Sequence, residues 1–95
     1  MATELKLQGE KSRYVLVQDG EEVGITGYAL RGNAIHLTHT EIDPAHRDQG
    51  LADTMVRAVM DDIRRTTERK VVAACPYVVE WLARNPDYQD MEERP

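Results

Sequence analysis

The chain has 95 residues, 41% of them hydrophobic and 31% charged, and a formal net charge of −5. This length gives one domain with a thin core, which we expect to span residues 1–95 and to end in an acidic, loose tail from about residue 89. The negative charge and the scattered Lys and Arg residues argue against nucleic acid as a partner, and the apolar runs are too short to cross a membrane.

Cellular location is suggested by two features of the sequence. The residues Met1-Ala2-Thr3-Glu4 do not form a basic segment followed by an apolar stretch, so we expect no secretory signal. The chain has a single cysteine, which cannot form an internal disulfide. Both features favour a cytoplasmic protein, and we expect no bound metal.

The first part of the chain favours β-structure. Residues 12–18 contain a run of β-favouring side chains and end at the turn pair Asp19-Gly20, after which residues 22–30 continue in extended form. We expect these two segments to form a hairpin. Residues 4–8 are expected to add a further strand.

The next predicted strand covers residues 34–42 and follows a break at residues 31–33. Side chains of a regular strand alternate between its two faces, so Ile35 and Leu37 share one face. The same alternation places His39 on that face, which predicts either a core histidine or a side chain directed toward a neighbouring strand.

From Leu51 onward the apolar residues recur with helical spacing, which predicts an amphipathic helix running to about Arg69. Its predicted apolar stripe consists of Leu51, Ala52, Met55, Val56, Val59, Met60 and Ile63.

The last predicted elements are a short apolar strand at residues 70–75 and a short helix at residues 77–84, closed by Asn85-Pro86. A strand, a crossover helix and a second strand favour parallel pairing. We therefore expect residues 71–75 to lie beside or near residues 34–42.

A candidate anion site lies between the strand of residues 34–42 and the long helix. Arg47, Gly50 and Ala52 are spaced so that several backbone N–H groups can point outward at a phosphate, and the helix N-terminus adds the positive end of its dipole. Gly50 alone fits an ordinary strand-to-helix turn equally well. The whole segment predicts a pyrophosphate site.

The order of these features resembles the GNAT superfamily of acetyl-CoA-dependent N-acetyltransferases. The pyrophosphate loop of that superfamily reads Gln or Arg, two residues, Gly, one residue, and Gly or Ala, and here the segment is Arg47-Asp48-Gln49-Gly50-Leu51-Ala52. The chain is most similar to the small single-domain members, through residues 39–47, Cys75-Pro76-Tyr77-Val78, Trp81-Leu82 and Asn85-Pro86. The resemblance covers about residues 12–88.

The resemblance implies an α+β fold with a mixed, mostly antiparallel sheet of about five strands, one long crossover helix and a short C-terminal helix. It implies transfer of an acetyl group from acetyl-CoA to an unidentified amine by a monomer or weak homodimer. The implied cofactor-binding residues are Glu41 and Ile42 for the pantetheine arm, and Arg47, Asp48, Gln49, Gly50, Leu51 and Ala52 for the pyrophosphate. Asp48 stands where the small members usually have glycine, and its charge opposes a phosphate unless it turns to solvent or pairs with Arg47.

Three residues are candidates for catalysis. Cys75 is either a small buried side chain at a strand end or a thiol that accepts or helps to transfer the acyl group, as suspected in the similar small enzymes. His39 is the preferred base, for the Cys75 thiol or for an incoming amine, if the two strands bring it close. Tyr77 either packs against the sheet or protonates the departing thiolate, as a tyrosine does in many GNAT enzymes.

Two other functional classes fit the same sequence. A domain that binds CoA or acyl-CoA without turnover is plausible because the chain lacks the N-terminal helices that build the acceptor site in larger GNAT enzymes. The second class is a protein-interaction module whose loop holds no ligand. The feature that favours this class is Asp48, which stands where the small GNAT members usually have glycine. Binding of CoA separates the second from the others, and release of free CoA separates an enzyme from a binding domain.

Overall fold

The computed structural model describes residues 3–95, apart from the side chain of Asp48. The strands are β1 (Thr3–Gln8), β2 (Arg13–Gln18), β3 (Glu21–Arg31), β4 (Ala34–Ile42) and β5 (Lys70–Ala73). The helices are α1 (Leu51–Thr66) and α2 (Pro76–Arg84), and short 3-10 helices cover Gly9–Lys11, Pro44–Gln49 and Pro86–Glu92.

One five-stranded sheet carries the strands in the order β1-β2-β3-β4-β5. The first four strands pair antiparallel, and β5 pairs parallel with β4 after the crossover through α1. The predicted mixed sheet, the long crossover helix and the short helix after β5 are therefore confirmed. None of the helices in the described part of the chain is both long and apolar enough to span a bilayer.

Helix α1 covers one face of the sheet with its apolar stripe. The buried side chains of this stripe are Leu51, Met55, Val56, Val59, Met60 and Ile63. The helix ends at Thr66, earlier than the predicted Arg69, because Thr67 is extended and the chain must reach β5, where the Lys70 amide donates to the Asn33 carbonyl at 2.9 Å. Ala52, predicted on the same stripe, is half-buried and lies at the rim of the site described below.

The C-terminal tail packs onto the domain, so the expectation of a loose tail is wrong. Tyr88 and Met91 belong to the hydrophobic core, and Met91 is fully buried. The Arg94 guanidinium donates to the carbonyls of Thr67 at 2.7 Å and Arg69 at 3.0 Å. These two apolar side chains lie among acidic residues, which is why the overall composition of the tail concealed them.

A β-bulge interrupts the pairing of β3 with β4. Gly27 pairs with His39 but the next residue, Tyr28, pairs with Leu37, so Thr38 is an extra residue on β4. A bulge of one residue reverses the alternation that follows it. A Cβ atom at Gly27 would lie 3.3 Å from the Thr38 Oγ1, so glycine leaves room for the bulge.

Strands β4 and β5 separate at the level of the bulge. Their parallel pairing extends only from Ala34 opposite Lys70 to Leu37 opposite Ala73, and the Ala74 amide then donates to the Leu37 carbonyl at 3.0 Å. Beyond this point the chain after β5 turns into α2, while β4 continues to Ile42. The separation of the two strands opens one end of the sheet beside α1.

Candidate active site

A cleft of about 570 Å³ lies at this open end of the sheet. Residues of β3, β4, α1, α2 and the connecting 3-10 helix form its wall. They are Glu22, Val23, Gly24, Ile25, Thr40, Glu41, Ile42, Asp43, Pro44, Arg47, Ala52 and Tyr77. Of the predicted cofactor-binding residues, Glu41, Ile42, Arg47 and Ala52 therefore share one cleft.

The start of α1 forms a cup of backbone amides. Gly50 is left-handed, with φ of 69°, and it both ends the 3-10 helix Pro44–Gln49 and caps α1. The amides of the first turn, at Leu51, Ala52 and Asp53, have no acceptor within the helix. Among the described side chains none accepts a hydrogen bond from these three amides. The cup can therefore hold an anion at the positive end of the helix dipole.

Side-chain contacts fix the loop that precedes the cup. The His46 Nε2 lies 3.3 Å from a carboxylate oxygen of Glu21, and the Gln18 amide donates to the Gln49 Oε1 at 3.2 Å. The loop is thereby attached to the β2–β3 turn rather than free. Glu21, Asp43 and His46 also bring their ligating atoms within 4.8 Å of one another, a donor set able to accept a cation.

Arg47 and Asp48 occupy the outer part of this loop. Arg47 is exposed and lines the cleft, where its guanidinium offsets part of the acidity of the surrounding wall. The predicted conflict between Asp48 and a phosphate concerns a side chain that lies outside the described residues. Of the remaining predicted positions, Gln49 is exposed, while the Leu51 side chain is buried in the core. Neither residue lines the cleft.

Tyr77 lies in the first turn of α2 and forms part of the cleft wall. Partial burial raises the pKa of its phenol, and the negative charge of Asp53 raises it further, while Arg84 opposes the shift. The phenol is therefore protonated at neutral pH. Its position and charge state suit a proton donor rather than a base.

Cys75 lies directly behind the cleft wall. Its side chain is only 8% exposed and belongs to the hydrophobic core, and the thiol is directed at the Thr40 Oγ1 at 3.7 Å. Thr40 itself lines the cleft, whereas Cys75 does not. The thiol is thus separated from the cleft by one threonine side chain.

His39 does not lie on the face predicted for it. The bulge at Thr38 turns His39 to the uncovered face of the sheet, where it is largely exposed and its Nε2 lies 3.3 Å from the Glu41 carboxylate. Thr40 occupies the place next to Cys75 that His39 was expected to take. The expectation that His39 reaches the thiol is therefore wrong.

A signal for this reversal was present in the sequence. Ile42 is an odd number of residues after Leu37, so a regular strand would direct the two side chains to opposite faces. Both side chains pack on the core, because the extra residue in the bulge returns Ile42 to the face of Leu37.

Two further residues near the site, Asp53 and Trp81, were not identified from the sequence. The Trp81 indole donates to the Asp53 Oδ1 at 2.7 Å. Contacts between distant segments leave no periodic pattern.

Comparison with known proteins identifies the architecture. The chain matches the family described as GCN5-related N-acetyl-transferase over residues 13–91. The NMR solution structure of a GCN5-like protein from Staphylococcus aureus, itself a candidate N-acetyltransferase, superposes with a TM-score of 0.69 at 21% identity. The match covers 93% of this chain and 85% of the other. At this identity the likeness establishes the fold.

No curated protein matches the sequence at a meaningful level. The family match nevertheless covers most of the chain, including β4, the amide cup, Cys75 and Tyr77. The chain belongs to the GCN5-related N-acetyltransferase family and carries an acyltransferase domain of the GNAT type.

Proposed function

We propose that the protein transfers the acetyl group of acetyl-CoA to an amine. The observation that supports this most directly is that Ala52, in the first turn of α1, lines a cleft whose wall also contains residues 40–42 of β4 and Tyr77. The cup suits a pyrophosphate, and the cleft suits the arm that joins it to a thioester. The acceptor amine is not specified by these features.

The cofactor site uses mainly backbone groups. The amides of residues 49–52 hold the pyrophosphate, with Arg47 at the rim, and the backbone of Glu41 and Ile42 runs beside the pantetheine arm. A backbone cradle can form whatever side chains its residues carry, provided that no carboxylate is directed into it. Gly50 supports the cradle through its left-handed conformation, which few other residues adopt without cost.

Acetyl-CoA supplies the acetyl group as an activated thioester. An N–H of residues 40–42, beyond the bulge, is placed to stabilise negative charge on a carbonyl oxygen within the cleft. Tyr77 holds a proton in the cleft wall, and we assign to it protonation of the thiolate leaving group. His39 is proposed as the base that removes a proton from the acceptor amine, arriving from the uncovered face beside Glu41.

Cys75 offers a second route, in which the acetyl group is first carried by its thiol. The contact with Thr40 keeps the thiol close to the cleft, and a rotation of the Thr40 side chain would expose it. Incubation with acetyl-CoA and no amine, followed by mass spectrometry, distinguishes the routes. Only the route through Cys75 leaves an added acetyl group on that residue.

Binding and turnover test the proposal separately. Calorimetry with CoA and acetyl-CoA, together with NMR of the amides from residue 47 to residue 55, reports occupation of the cup. We expect the amides of residues 50–53 to shift most, because they face the ligand directly. Release of free CoA in the presence of a panel of amines reports turnover.

Two results would contradict the proposal. Absence of binding at millimolar CoA would favour an interaction module. Binding with no CoA release for any amine would favour a sensing domain. We propose that the chain is a single minimal catalytic domain. Light scattering should then find a monomer at concentrations at which calorimetry shows full cofactor binding.

A further inference from the structure

The third residue of α1 presents a problem for an anion site. Asp53 follows the capping residue Gly50 by three positions, and an acidic side chain at that place commonly folds back onto the free amides of the helix N-terminus. Those amides form the cup. A carboxylate folded back in this way would occupy the cup and repel a phosphate from it.

In the structure the Asp53 carboxylate is held elsewhere. Its Oδ1 accepts a hydrogen bond from the Trp81 Nε1 at 2.7 Å, and the Arg57 Nη2 lies 3.5 Å from the same oxygen. Trp81 is fully buried, so its indole N–H is shielded from water and depends on this carboxylate. The carboxylate is therefore directed toward α2, and it leaves the amides of the cup unoccupied.

The two donors are themselves held in place. The Arg57 guanidinium lies 5.3 Å from the centre of the Trp81 ring and 5.7 Å from that of Tyr88, and it donates to the Asn85 Oδ1 at 3.1 Å. The side-chain amide of Asn85, through its Nδ2, in turn donates to the backbone carbonyl of Trp81 at 2.6 Å. This closed set of contacts joins the start of α1 to the C-terminal half of α2, and α2 also carries Tyr77.

We propose that Trp81 is a positioning residue for cofactor binding, which holds the Asp53 carboxylate away from the amide cup. Arg57 assists by fixing the same oxygen and by neutralising its charge. The proposal rests on the proposed function, because it assumes that the cup receives the pyrophosphate of CoA. It assigns to a buried tryptophan an effect on ligand affinity that reaches the ligand only through Asp53.

The test compares ligands with and without a pyrophosphate. In Trp81→Phe the ring still fills the core but no longer donates, so Asp53 can fold back onto the cup. We expect the affinity for CoA to fall about fivefold, the size of a side-chain capping interaction. The KM for acetyl-CoA should rise by a similar factor with kcat nearly unchanged. The KM for acetyl-pantetheine, which lacks the pyrophosphate, should not change.

Removal of the carboxylate provides the rescue. The double variant Trp81→Phe, Asp53→Ala lacks the carboxylate that would enter the cup, and its CoA affinity should return to the wild-type value. Arg57→Met keeps the stem that packs on the rings and should lower the affinity about twofold, since one weaker donor is lost. This variant tests the same idea should Trp81→Phe prove too unstable to study.

Tyr14→Phe is the matched control. The Tyr14 phenol is buried in the core and hydrogen-bonds the Asp62 carboxylate further along α1, a tyrosine–carboxylate contact outside the set formed by Arg57, Trp81 and Asp53. Its loss should lower stability without changing CoA affinity. Equal losses for CoA and pantetheine ligands, wild-type CoA affinity in Trp81→Phe, or failure of the rescue would each overturn the role of Trp81. A wild-type protein that bound no CoA would instead refute the proposed function.

Discussion

At the scale of single residues, the charge states of the tyrosines carry the clearest chemical information. Tyr77 lines the cleft, and burial together with the Asp53 charge raises the pKa of its phenol. Tyr14 lies in the core beneath α1, and burial raises its pKa strongly, with further contributions from the charge and hydrogen bond of Asp62. Both phenols remain protonated at neutral pH. The proton of Tyr77 concerns the proposed reaction, whereas that of Tyr14 concerns the stability of the fold.

Replacement of Tyr77 tests its role as proton donor. Tyr77→Phe keeps the ring in the cleft wall and removes the proton, so we expect kcat to fall about 10- to 100-fold with little change in the KM for acetyl-CoA. In the wild type, kcat should not fall through loss of this proton below the ordinary tyrosine pKa of about 10. Tyr28→Phe, on β3 outside the cleft, is the control and should keep full activity. A Tyr77→Phe enzyme with wild-type kcat would exclude the phenol from the reaction.

The raised pKa of the Tyr14 phenol predicts a specific loss of stability at high pH. The unfolded chain gives up this proton near pH 10, whereas the folded protein retains it to a higher pH. The contribution to the free energy of unfolding is therefore complete below about pH 10 and declines as pH rises toward the folded-state pKa. Denaturant unfolding between pH 7 and pH 11 should show a shallower alkaline decline for Tyr14→Phe than for the wild type. Identical declines would mean that Tyr14 ionises equally easily in both states.

At the scale of elements, the site depends on how closely β3, β4 and α1 approach one another. Gly24 lies on β3 where all three meet. A Cβ atom there would lie 2.7 Å from the Ile42 Cδ1, 2.9 Å from the Met55 sulfur and 3.2 Å from the Glu41 carbonyl oxygen. The absence of a side chain at this position allows the part of β4 around Glu41 and Ile42 to lie against α1.

Gly24→Ala should therefore push β4 away from α1. We expect a loss of about 1–3 kcal/mol in the free energy of unfolding, the usual effect of overpacking, and weaker CoA binding. Chemical denaturation and calorimetry measure the two effects. Gly9→Ala is the matched control, because a Cβ atom at Gly9 would meet no atom within 4 Å, and it should change neither quantity appreciably. Equal behaviour of the two variants would show that β4 and α1 tolerate a wider separation.

Local patterns predicted the elements better than they predicted the arrangement of the site. Helical spacing from Leu51 and the alternation around Ile35 gave α1 and β4, because burial of one face imposes a period on the residues themselves. The bulge at Thr38 depends on its partner strand and on Gly27. The contact of Trp81 with Asp53 joins residues 28 positions apart, and no property of either segment alone indicates it.

At the scale of the whole molecule, helix α1, helix α2 and the C-terminal 3-10 helix cover the same face of the sheet. The core that they share with the sheet contains residues from α1, α2 and the C-terminal 3-10 helix, including Trp81, Tyr88 and Met91. A chain of this size buries only slightly more apolar surface than a stable fold requires. Each element that closes the core is therefore needed for stability. The C-terminal residues thereby support the region in which Trp81 and Asp53 meet.

The variant Met91→Ala tests how much the C-terminal residues contribute to the free energy of unfolding. The Met91 side chain is fully buried within an acidic stretch, and Met91→Ala should lower the free energy of unfolding by about 2–5 kcal/mol, as expected for a truncation in a packed core. For a domain of this size each kcal/mol corresponds to a melting temperature lower by about 4–8 °C. Leu7→Ala is the comparison, since Leu7 is 57% exposed and its loss should cost no more than about 0.5 kcal/mol. A loose tail would give the two variants the same melting temperature, whereas a tail that closes the core separates them clearly.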